Sequence, residues 1–338
     1  MNKKVLLTGI SGYIGNHCAV ELLKNGYSVR GSLRNISKSA KIINTIKKEV
    51  DPKNRLEFCE LNLLDDKGWD DAVKGCDFVM HVASPFINIE PKDENEYIRP
   101  AVDGTMRALN AAKSAGIKRV VLTSSMVSML GSADKSIDVD AETWTNVKGK
   151  NVSAYAKSKT LAEQAAWDFI NAQRDDTKME LAVVNPGPVF GPSLSGDLTG
   201  TSMSMFSQMM KGKMPMVPQA SINMSDVRDI AKIHVLALEN TEASGKRFIV
   251  TTEKPYAFQD VAKILKSNGY NKVSTKLAPN FLLKIMGNIN REAKSMRSFI
   301  GKTYNGDVSS TMKTFDWKPI TFEKTVLDTA KSIESYLN

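Results

Sequence analysis

The sequence has few cysteines and histidines, and it lacks long apolar runs. Its three cysteines, Cys18, Cys59 and Cys76, lie far apart and form no CxxC pair, and an odd number argues against a disulfide framework. No run of about 18 uncharged apolar residues occurs, so we expect no membrane span. The three histidines lack the spacing of metal ligands. We therefore expect a reduced, cytoplasmic protein with no membrane segment and no metal site.

The remaining composition is ordinary. Apolar residues make up 42% and charged residues 25% of the 338 positions, which excludes collagen-like, low-complexity and largely disordered chains. The length indicates two domains, or one large α/β domain with an appended lobe. A strand-like run begins at Lys3, so we expect no cleaved signal peptide. The net charge of +9 is compatible with binding to nucleic acid, to a membrane surface or to an anionic ligand, and the location of the basic residues distinguishes these three.

Strand-like and helix-like segments alternate through the first 186 residues. Apolar, strand-like runs occupy residues 5–7, 27–33, 56–59, 78–82, 119–123 and 181–184, and helical spacing occupies residues 13–25, 38–49, 93–115 and 153–172. Such alternation predicts parallel strands joined by crossover helices. Strands that are apolar throughout predict a sheet covered on both faces. The expected fold class is α/β, with a doubly wound parallel sheet of the Rossmann type and a smaller C-terminal substrate lobe.

The regular alternation fails after about residue 186, where prolines become frequent. We predict that residues 1–186 form the main, Rossmann-type domain. Residues 221–250, with a helix over 226–240, are expected to rejoin it. Residues 187–220 and 251–338 then form the smaller lobe that binds the substrate.

A glycine-rich turn separates the first strand from the first helix. Residues 8–15 read TGISGYIG, a GxxGxxG spacing that allows a tight turn and lets backbone N–H groups approach a pyrophosphate at a helix N-terminus. The alternative is an ordinary glycine-rich turn, but the position directly after an N-terminal strand favours a dinucleotide. The candidate cofactor contacts here are Thr8, Gly9, Gly12, Tyr13, Ile14 and Gly15.

No acidic residue occurs between Glu21 and Glu49, a stretch that contains seven basic residues. An NAD site places Asp or Glu about 20 residues after the glycine turn, at the end of the second strand, to bind the ribose 2′-hydroxyl. Here Arg34 lies at that strand end and Lys38 follows on the next turn. An arginine fork suits a 2′-phosphate, whereas the alternative is a solvated basic helix face. We therefore predict NADP(H) as the cofactor, and this local placement of the charge argues against nucleic acid as a partner.

Two polar segments later in the chain carry candidate catalytic groups. Tyr155 and Lys159 fit YxxxK, and residues four apart on a helix share a face. A nearby ammonium stabilises a phenolate and makes the phenol a better proton donor. Thr123, Ser124 and Ser125 close the fifth strand, where a serine hydroxyl can stabilise a developing alkoxide. Each motif alone is common on helix surfaces or in turns, but the three motifs in this order indicate an enzyme.

The sequence resembles the short-chain dehydrogenase/reductase superfamily in its extended form. Within that form it is similar to the dihydroflavonol 4-reductase-like group, which includes NADPH-dependent aldehyde and ketone reductases. The resemblance covers residues 3 to about 245 well. It rests on the glycine turn, on YxxxK, and on segments at 29–34, 81–85, 102–105, 123–125, 185–187 and 226–229.

The resemblance implies a catalytic triad of Ser125, Tyr155 and Lys159. It also implies that a hydride passes from the nicotinamide to a carbonyl carbon, while Tyr155 protonates the oxygen and Ser125 holds it. Further implied cofactor contacts are Asn62, Leu63, Val82, Ala83, Ser84, Thr123, Pro186 and Val189, with aspartate more usual at position 62. The expected substrate contacts are Ser84, Phe86, Ser125, Met126 and Tyr155.

Two departures from the family bear on the substrate. Residues 126–130 (MVSML) are mostly apolar where plant dihydroflavonol reductases carry a polar selector, and residues 151–154 (NVSA) lack the Tyr-Cys segment of cinnamoyl-CoA reductases. We therefore assign neither activity. Methionines also crowd residues 203–216. They form either a deformable pocket for apolar substrates or loose packing of the lobe, since methionine serves both purposes.

The expected function is NADPH-dependent reduction of a small, apolar aldehyde or ketone by a monomer or homodimer. One alternative is a nucleotide-sugar epimerase or dehydratase, or a 3β-hydroxysteroid dehydrogenase, which usually use NAD. Epimerases and dehydratases usually carry the acid that is missing after the second strand. The alternative of another class is a non-catalytic NADP-sensing protein, which typically loses the tyrosine or the lysine.

We predict that Arg34→Ala lowers the ratio of kcat/KM for NADPH to kcat/KM for NADH, because alanine cannot bind a 2′-phosphate. Steady-state kinetics with both cofactors measure this ratio. Lys47→Ala, on the solvated helix face, is the control and should leave the ratio unchanged. An unchanged ratio in Arg34→Ala contradicts the role of Arg34.

Overall fold

The computed structural model describes residues 3–85, 91, 93–150, 152–174, 178–280 and 300–336. Its strands are β1 (Lys4–Thr8), β2 (Ser28–Leu33), β3 (Leu56–Glu60), β4 (Phe78–His81), β5 (Arg119–Thr123), β6 (Ile137–Val139), β7 (Glu180–Pro186), β8 (Val189–Phe190), β9 (Ser221–Ile222), β10 (Ser225–Asp226), β11 (Lys246–Val250), β12 (Tyr256–Ala257) and β13 (Thr303–Gly306). Its helices are α1 (Tyr13–Lys24), α2 (Ser39–Lys47), α3 (Trp69–Val73), α4 (Asn95–Ser114), α5 (Val127–Leu130), α6 (Ala154–Asn171), α7 (Thr201–Met210), α8 (Val227–Glu239), α9 (Phe258–Ser267), α10 (Ser309–Phe315) and α11 (Phe322–Glu334).

Parallel strands form the main sheet in the order β11-β7-β5-β4-β1-β2-β3. The strands β1, β2 and β3 follow one another from the middle of the sheet to one edge, and β4, β5, β7 and β11 follow one another from the middle to the other edge. The switch point therefore lies between β1 and β4. The predicted α/β fold with a doubly wound parallel sheet is confirmed. The strand β11 was not predicted, although it falls within the segment 221–250 that was expected to rejoin the main domain.

The helices that position the site match their predicted ranges closely. The helices α1, α2, α4, α6 and α8 end within two residues of the predicted limits. Two of them begin at a side-chain cap, which fixes the first turn. The Ser153 hydroxyl accepts a hydrogen bond from the Ala156 amide at the start of α6, and the Asp226 carboxylate accepts one from the Arg228 amide at the start of α8.

A second, smaller sheet has the order β12-β9-β13-β6, and β8 pairs with β10. The strand β6 comes from the segment between β5 and α6, and it pairs in parallel with β13 near the end of the chain. The smaller sheet therefore draws one strand from residues 1–186. The division of the chain into a main domain (residues 1–186 with 221–250) and a smaller lobe (residues 187–220 with 251–338) stays a prediction.

The methionine-rich segment packs into the hydrophobic core. Met203, Met205, Met209 and Met210 on α7 are at most 9% exposed. They belong to a cluster that continues through Phe190 to the apolar residues of the main sheet. Of the two interpretations of this segment, the structure favours packing of the lobe over an open, deformable pocket.

The loop between β8 and α7 is held by helices from both ends of the chain. The Tyr13 hydroxyl of α1 donates to the Gly191 carbonyl at 2.7 Å. The Gly191 amide donates to the Thr329 hydroxyl of α11 at 2.7 Å, and the Ser193 amide donates to the Ser332 hydroxyl of the same helix at 2.7 Å. The loop that faces the glycine turn therefore depends on the last helix for its conformation.

Within the residues that the structure describes, no helix is both long enough and apolar enough to cross a membrane. In the same residues, no three His, Cys, Asp or Glu side chains gather in a way that could hold a metal ion. Cys18, Cys59 and Cys76 are all free thiols.

Arg119 connects the centre of the main sheet to a helix end. Its guanidinium, 4% exposed as a residue, donates twice to the Glu180 carboxylate, at 2.8 Å and 2.6 Å. It also donates to the carbonyls of Ala237 and Asn240, at 2.7 Å and 3.0 Å, at the C-terminal end of α8. A cation at this end satisfies carbonyls that have no partner within the helix. Arg119 therefore joins β5, β7 and α8.

We expect Arg119→Ala to lower the free energy of unfolding by about 3 kcal/mol, because it removes a buried guanidinium that binds the partly exposed Glu180 carboxylate, and it leaves two carbonyls at the end of α8 without their partner. Urea unfolding followed by circular dichroism measures the change. Arg99→Ala is the control. The Arg99 side chain is 73% exposed, and its Nε lies as far as 4.0 Å from the Asp103 carboxylate. Because this pair is weak, its loss should change stability by less than about 0.5 kcal/mol. Equal losses in the two variants would contradict the role of Arg119.

Candidate active site

The glycine turn follows β1 where the strands of the main sheet end, beside the switch point. Gly9 has a φ of +73°, and a Cβ on it would lie 2.9 Å from the backbone of Ala83. A Cβ on Gly15 would lie 2.1 Å from the Gly9 carbonyl oxygen. Glycine at these two positions therefore lets the turn approach α1 and the segment after β4 more closely than any other residue would.

The first helix begins at this turn in a form suited to an anion. Gly12 is the N-cap of α1, no side chain caps the helix, and no acidic residue lies in its first turn. The first N–H groups of a helix have no partner within it, and the helix dipole favours negative charge there. The turn and the backbone of Tyr13, Ile14 and Gly15 therefore fit a pyrophosphate, as the sequence predicts.

The Thr8 side chain ties the glycine turn to β4. Its hydroxyl accepts a hydrogen bond from the Ala83 amide at 3.1 Å and lies 2.9 Å from His81 Nδ1. Burial lowers the pKa of His81 to about 3, so the ring is neutral and the contact is a hydrogen bond between two uncharged groups. Thr8 is 1% exposed, so its side chain holds the turn together, and its contact with the cofactor stays a prediction.

Arg34 and Lys38 lie where the sequence places them, at the end of β2. Arg34 directly follows the strand, and Lys38 ends a short 3-10 helix, Ile36–Lys38. The side-chain oxygen of Asn35 caps this helix by accepting a hydrogen bond from the Ser37 amide. Both cations are exposed, and neither forms an ion pair with a described residue within 4.0 Å. They are therefore available to an anionic ligand at this edge.

Asn62 and Leu63 follow β3 at the same edge of the sheet. Asn62 is exposed, and its side-chain oxygen accepts a hydrogen bond from the Leu64 amide at 3.0 Å, which folds a local turn. Leu63 packs over α4, where a Cβ on Gly104 would lie 2.7 Å from its Cδ2. The structure thus places both residues near the cleft, and their cofactor contacts stay predictions.

A cavity of about 10 Å³ lies among β4, β5, α4 and α6, about the size that one water molecule needs. The residues that line it include Ala83, Ser84, Thr123, Ser124, Lys159 and Glu163. Val82 lies next to this group and is partly buried. Phe86 lies outside the described residues, and so does its predicted substrate contact.

The structure brings together the three predicted catalytic residues. Ser125 lies two residues after β5, and its side chain is close enough to Tyr155, near the start of α6, for hydrogen bonding to influence the pKa of the phenol. One helical turn later, Lys159 Nζ donates to the Thr123 carbonyl at 3.3 Å. Tyr155 is partly exposed, whereas Lys159 is 7% exposed. The structure thus places the three residues together at the end of β5, and their catalytic roles stay predictions.

Burial sets the charge states of this group. It raises the pKa of Tyr155 to about 12, a shift that the Ser125 hydrogen bond opposes and that nearby Tyr97 strengthens. It lowers the pKa of Lys159 to about 8, a shift that the Glu163 carboxylate opposes. At neutral pH the phenol therefore keeps its proton and the ammonium keeps its charge. This is the combination that a proton donor with a stabilised conjugate base requires.

Met126, a predicted substrate contact, is more enclosed than the sequence suggested, as are Pro186 and Val189, which are predicted cofactor contacts. Met126 is 1% exposed, and its sulfur lies 3.3 Å from where a Cβ on Gly187 would stand. Pro186 is buried and Val189 partly buried at the end of β7 and in β8. Met126 therefore packs behind the serine turn, and its contact with substrate stays a prediction.

Two side chains beside the site were not predicted from the sequence. The Tyr97 ring of α4 meets the Tyr155 ring edge to face, with centroids 6.3 Å apart. The His234 ring of α8 lies 2.6 Å from the Thr123 hydroxyl and 2.8 Å from the Ile230 carbonyl, and burial lowers its pKa to about 4. Neither residue has a local sequence signal for the site, because Tyr97 reaches Tyr155, and His234 reaches Thr123, from distant parts of the chain.

A third missed residue, Glu163, did have a sequence signal. It follows Lys159 by four positions and Tyr155 by eight, which places all three on one face of α6. Its carboxylate accepts hydrogen bonds from Ser124 at 2.5 Å and from Arg247 at 2.5 Å. A carboxylate so close to the predicted triad is part of the site's electrostatics.

Comparison with known proteins decides the family. Residues 5–251 match the model of the NAD dependent epimerase/dehydratase family, which is well over half of the chain. The protein belongs to this family. The predicted membership of the extended short-chain dehydrogenases/reductases is thereby confirmed.

Several relatives are similar over most of this chain. Cinnamoyl-CoA reductase CAD2 of Medicago truncatula is 36% identical over 268 residues, which cover 78% of this chain and 79% of the relative. NADPH-dependent methylglyoxal reductase GRE2 of Saccharomyces cerevisiae is 33% identical over 283 residues, which cover 78% and 82%.

Solved structures of family members extend the similarity to the whole fold. The structure of Gre2 from Candida albicans in complex with NADPH has a TM-score of 0.79 at 25% identity, covering 99% of this chain and 100% of that one. The structure of yeast methylglyoxal/isovaleraldehyde reductase Gre2 complexed with NADPH has a TM-score of 0.78 at 27% identity, covering 99% of both chains.

Proposed function

We propose that this protein is an NADPH-dependent oxidoreductase that reduces the carbonyl group of a small aldehyde or ketone to an alcohol. The observation that carries the proposal is that three side chains converge where β5 ends: the Lys159 ammonium donates to the Thr123 carbonyl, Tyr155 lies one turn earlier on α6, and Ser125 is close enough to Tyr155 to influence the pKa of its phenol. These groups lie where parallel strands end beside the switch point, the usual place for ligands in such sheets. The reductases among the relatives support the same chemistry.

The residues at the carboxyl edge fit NADPH. The glycine turn and the uncapped start of α1 would hold the pyrophosphate, and Arg34 and Lys38 would bind the 2′-phosphate, because they are exposed cations at the end of β2. NADPH supplies, when bound, the hydride for the carbonyl carbon. The lack of an acid between Glu21 and Glu49 supports this cofactor over NADH.

Three side chains supply the proton and stabilise the negative charge during the reduction: Ser125, Tyr155 and Lys159. Ser125 donates a hydrogen bond to the substrate oxygen and stabilises its developing negative charge. Tyr155 gives its phenolic proton to the same oxygen, which completes the alcohol. The Lys159 ammonium stabilises the phenolate that remains, because opposite charges attract strongly in a partly desolvated site.

Two other functions fit the same fold less well. A nucleotide-sugar epimerase or dehydratase, or a 3β-hydroxysteroid dehydrogenase, usually uses NAD, and Arg34 occupies the strand end where an NAD site has an acid. An NADP-sensing protein without activity has no need for a tyrosine, serine and lysine in contact. We further propose a cytoplasmic enzyme that is a monomer or homodimer.

We expect Tyr155→Phe to lower kcat by at least about 100-fold, because phenylalanine cannot give a proton to the substrate oxygen. NADPH consumption with a panel of polar and apolar aldehydes and ketones, including methylglyoxal and isovaleraldehyde, measures the rate. Tyr27→Phe is the matched control, since the Tyr27 hydroxyl bonds to Glu239 away from the site. No turnover with any panel member, despite NADPH binding by the wild-type protein, would favour the sensor.

The reduction rate should be constant below about pH 8 and fall above it. Burial lowers the pKa of Lys159 to about 8, so the ammonium is present below that pH and is lost as the pH rises through it. A neutral amine no longer stabilises the phenolate. A pH profile of kcat for carbonyl reduction, at saturating NADPH, tests this expectation. A rate that keeps rising to pH 10 would show that Lys159 does not act through its charge.

A further inference from the structure

Glu163 is a fully buried carboxylate, with 0% of its side chain exposed. It lies on α6 one turn beyond Lys159 and lines the same small cavity. Burying a charge is unfavourable unless it is paired and hydrogen-bonded. Its partners therefore indicate what the carboxylate does in this fold.

One oxygen of Glu163 holds the turn that carries Ser125. Oε2 accepts from the Ser124 hydroxyl at 2.5 Å, lies 2.7 Å from the Ser128 hydroxyl, and accepts from the Asn185 amide at 3.0 Å. The Ser128 hydroxyl also lies 2.8 Å from the Ser125 carbonyl. Residues on both sides of Ser125 thus converge on a single carboxylate oxygen.

The other oxygen of Glu163 pairs with Arg247 of β11. The Arg247 Nε donates to Oε1 at 2.5 Å. Its Nη1 donates to the carbonyls of Ala141 and Thr143, at 2.7 Å each, and the guanidinium stacks over the Trp144 ring at 3.7 Å. The ion pair therefore joins the serine turn to the loop after β6.

We propose that Glu163, held by Arg247, is a positioning residue of the reductase, which fixes the Ser125 turn and keeps Lys159 charged. This inference rests on the proposed function, because it assumes the roles given above to Ser125 and Lys159. Glu163 need not touch the substrate; it acts through the serine turn and through its charge.

Among the described residues around Lys159, the Glu163 carboxylate is the nearest negative charge. On α6 the facing groups are Tyr155, which is neutral, and Glu163. From β4 comes His81, whose pKa burial lowers to about 3. From β5 come the Thr123 carbonyl and the Ser124 hydroxyl, and from α4 come Ala101 and Thr105, which carry no charge; Tyr97 of α4 faces Tyr155. The Glu163 carboxylate therefore opposes the loss of the Lys159 proton.

The test is Glu163→Gln, which keeps the size and the acceptor oxygen but removes the charge. We expect kcat for carbonyl reduction to fall about 10-fold, with KM for NADPH changed by less than about 2-fold, since the 2′-phosphate and pyrophosphate sites are untouched. We also expect the alkaline limb of the pH profile to move to lower pH by about one unit, because the ammonium loses its neighbouring anion. A residue that only supported the fold would lower kcat without moving this limb.

Two further variants keep the test decisive. Glu180→Gln is the matched control, because Glu180 pairs with a different guanidinium, that of Arg119, at the opposite end of the strands. This variant should leave the alkaline limb of the pH profile in place even if its melting temperature falls. Glu163→Gln combined with Arg247→Gln leaves no unpaired buried cation, which protects folding. The double variant should move the limb in the same direction, by less than the single variant.

The possible failures are distinguishable. An alkaline limb that stays at its wild-type pH in both Glu163 variants overturns the inference. If the limb stays in place while Tyr155→Phe loses activity, only the role of Glu163 fails. Wild-type activity in Tyr155→Phe would instead reject the proposed function itself.

Discussion

The arrangement of the site depends on the burial of one positive charge. The Lys159 ammonium is 7% exposed, and a buried ammonium needs partners because it has lost its hydration. It donates a hydrogen bond to the Thr123 carbonyl at the end of β5, and the Glu163 carboxylate on the next turn of its own helix stabilises its charge from a longer distance. Satisfying this charge holds α6 against the end of β5. Tyr155, one turn earlier on α6, is then held beside Ser125.

The parts of the site that depend on local spacing could be predicted from the sequence. The glycine turn, the Tyr155–Lys159 pair and the cation at the end of β2 each lie within one element or at its boundary, so their geometry follows from helix and strand periods. Glu163 obeys the same helical spacing, and it could have been found by extending the face of α6 by one turn. The periodicity of the apolar segments likewise predicted the fold class and most of the parallel strands.

The remaining parts depend on contacts between distant segments, which a single sequence does not encode in any local pattern. Arg247 reaches Glu163 only because β11 lies beside β7, and β6 enters the smaller sheet only because β13 returns to it. Composition was equally uninformative about the methionines of α7, since the same side chain suits a core and a pocket. Met126 shows this too, because apolar character could not reveal that it packs against Gly187 and Gly306.

The loop between β8 and α7 has a consequence for the order in which the chain can fold during synthesis. Its Gly191 amide finds its partner in Thr329, 138 residues later, and α1 contacts the same loop through Tyr13. A ribosome needs on the order of ten seconds to make that length of chain. The glycine turn and the early strands can therefore assemble while translation continues, but the loop facing them acquires its final hydrogen bonds only after the last helix has left the ribosome.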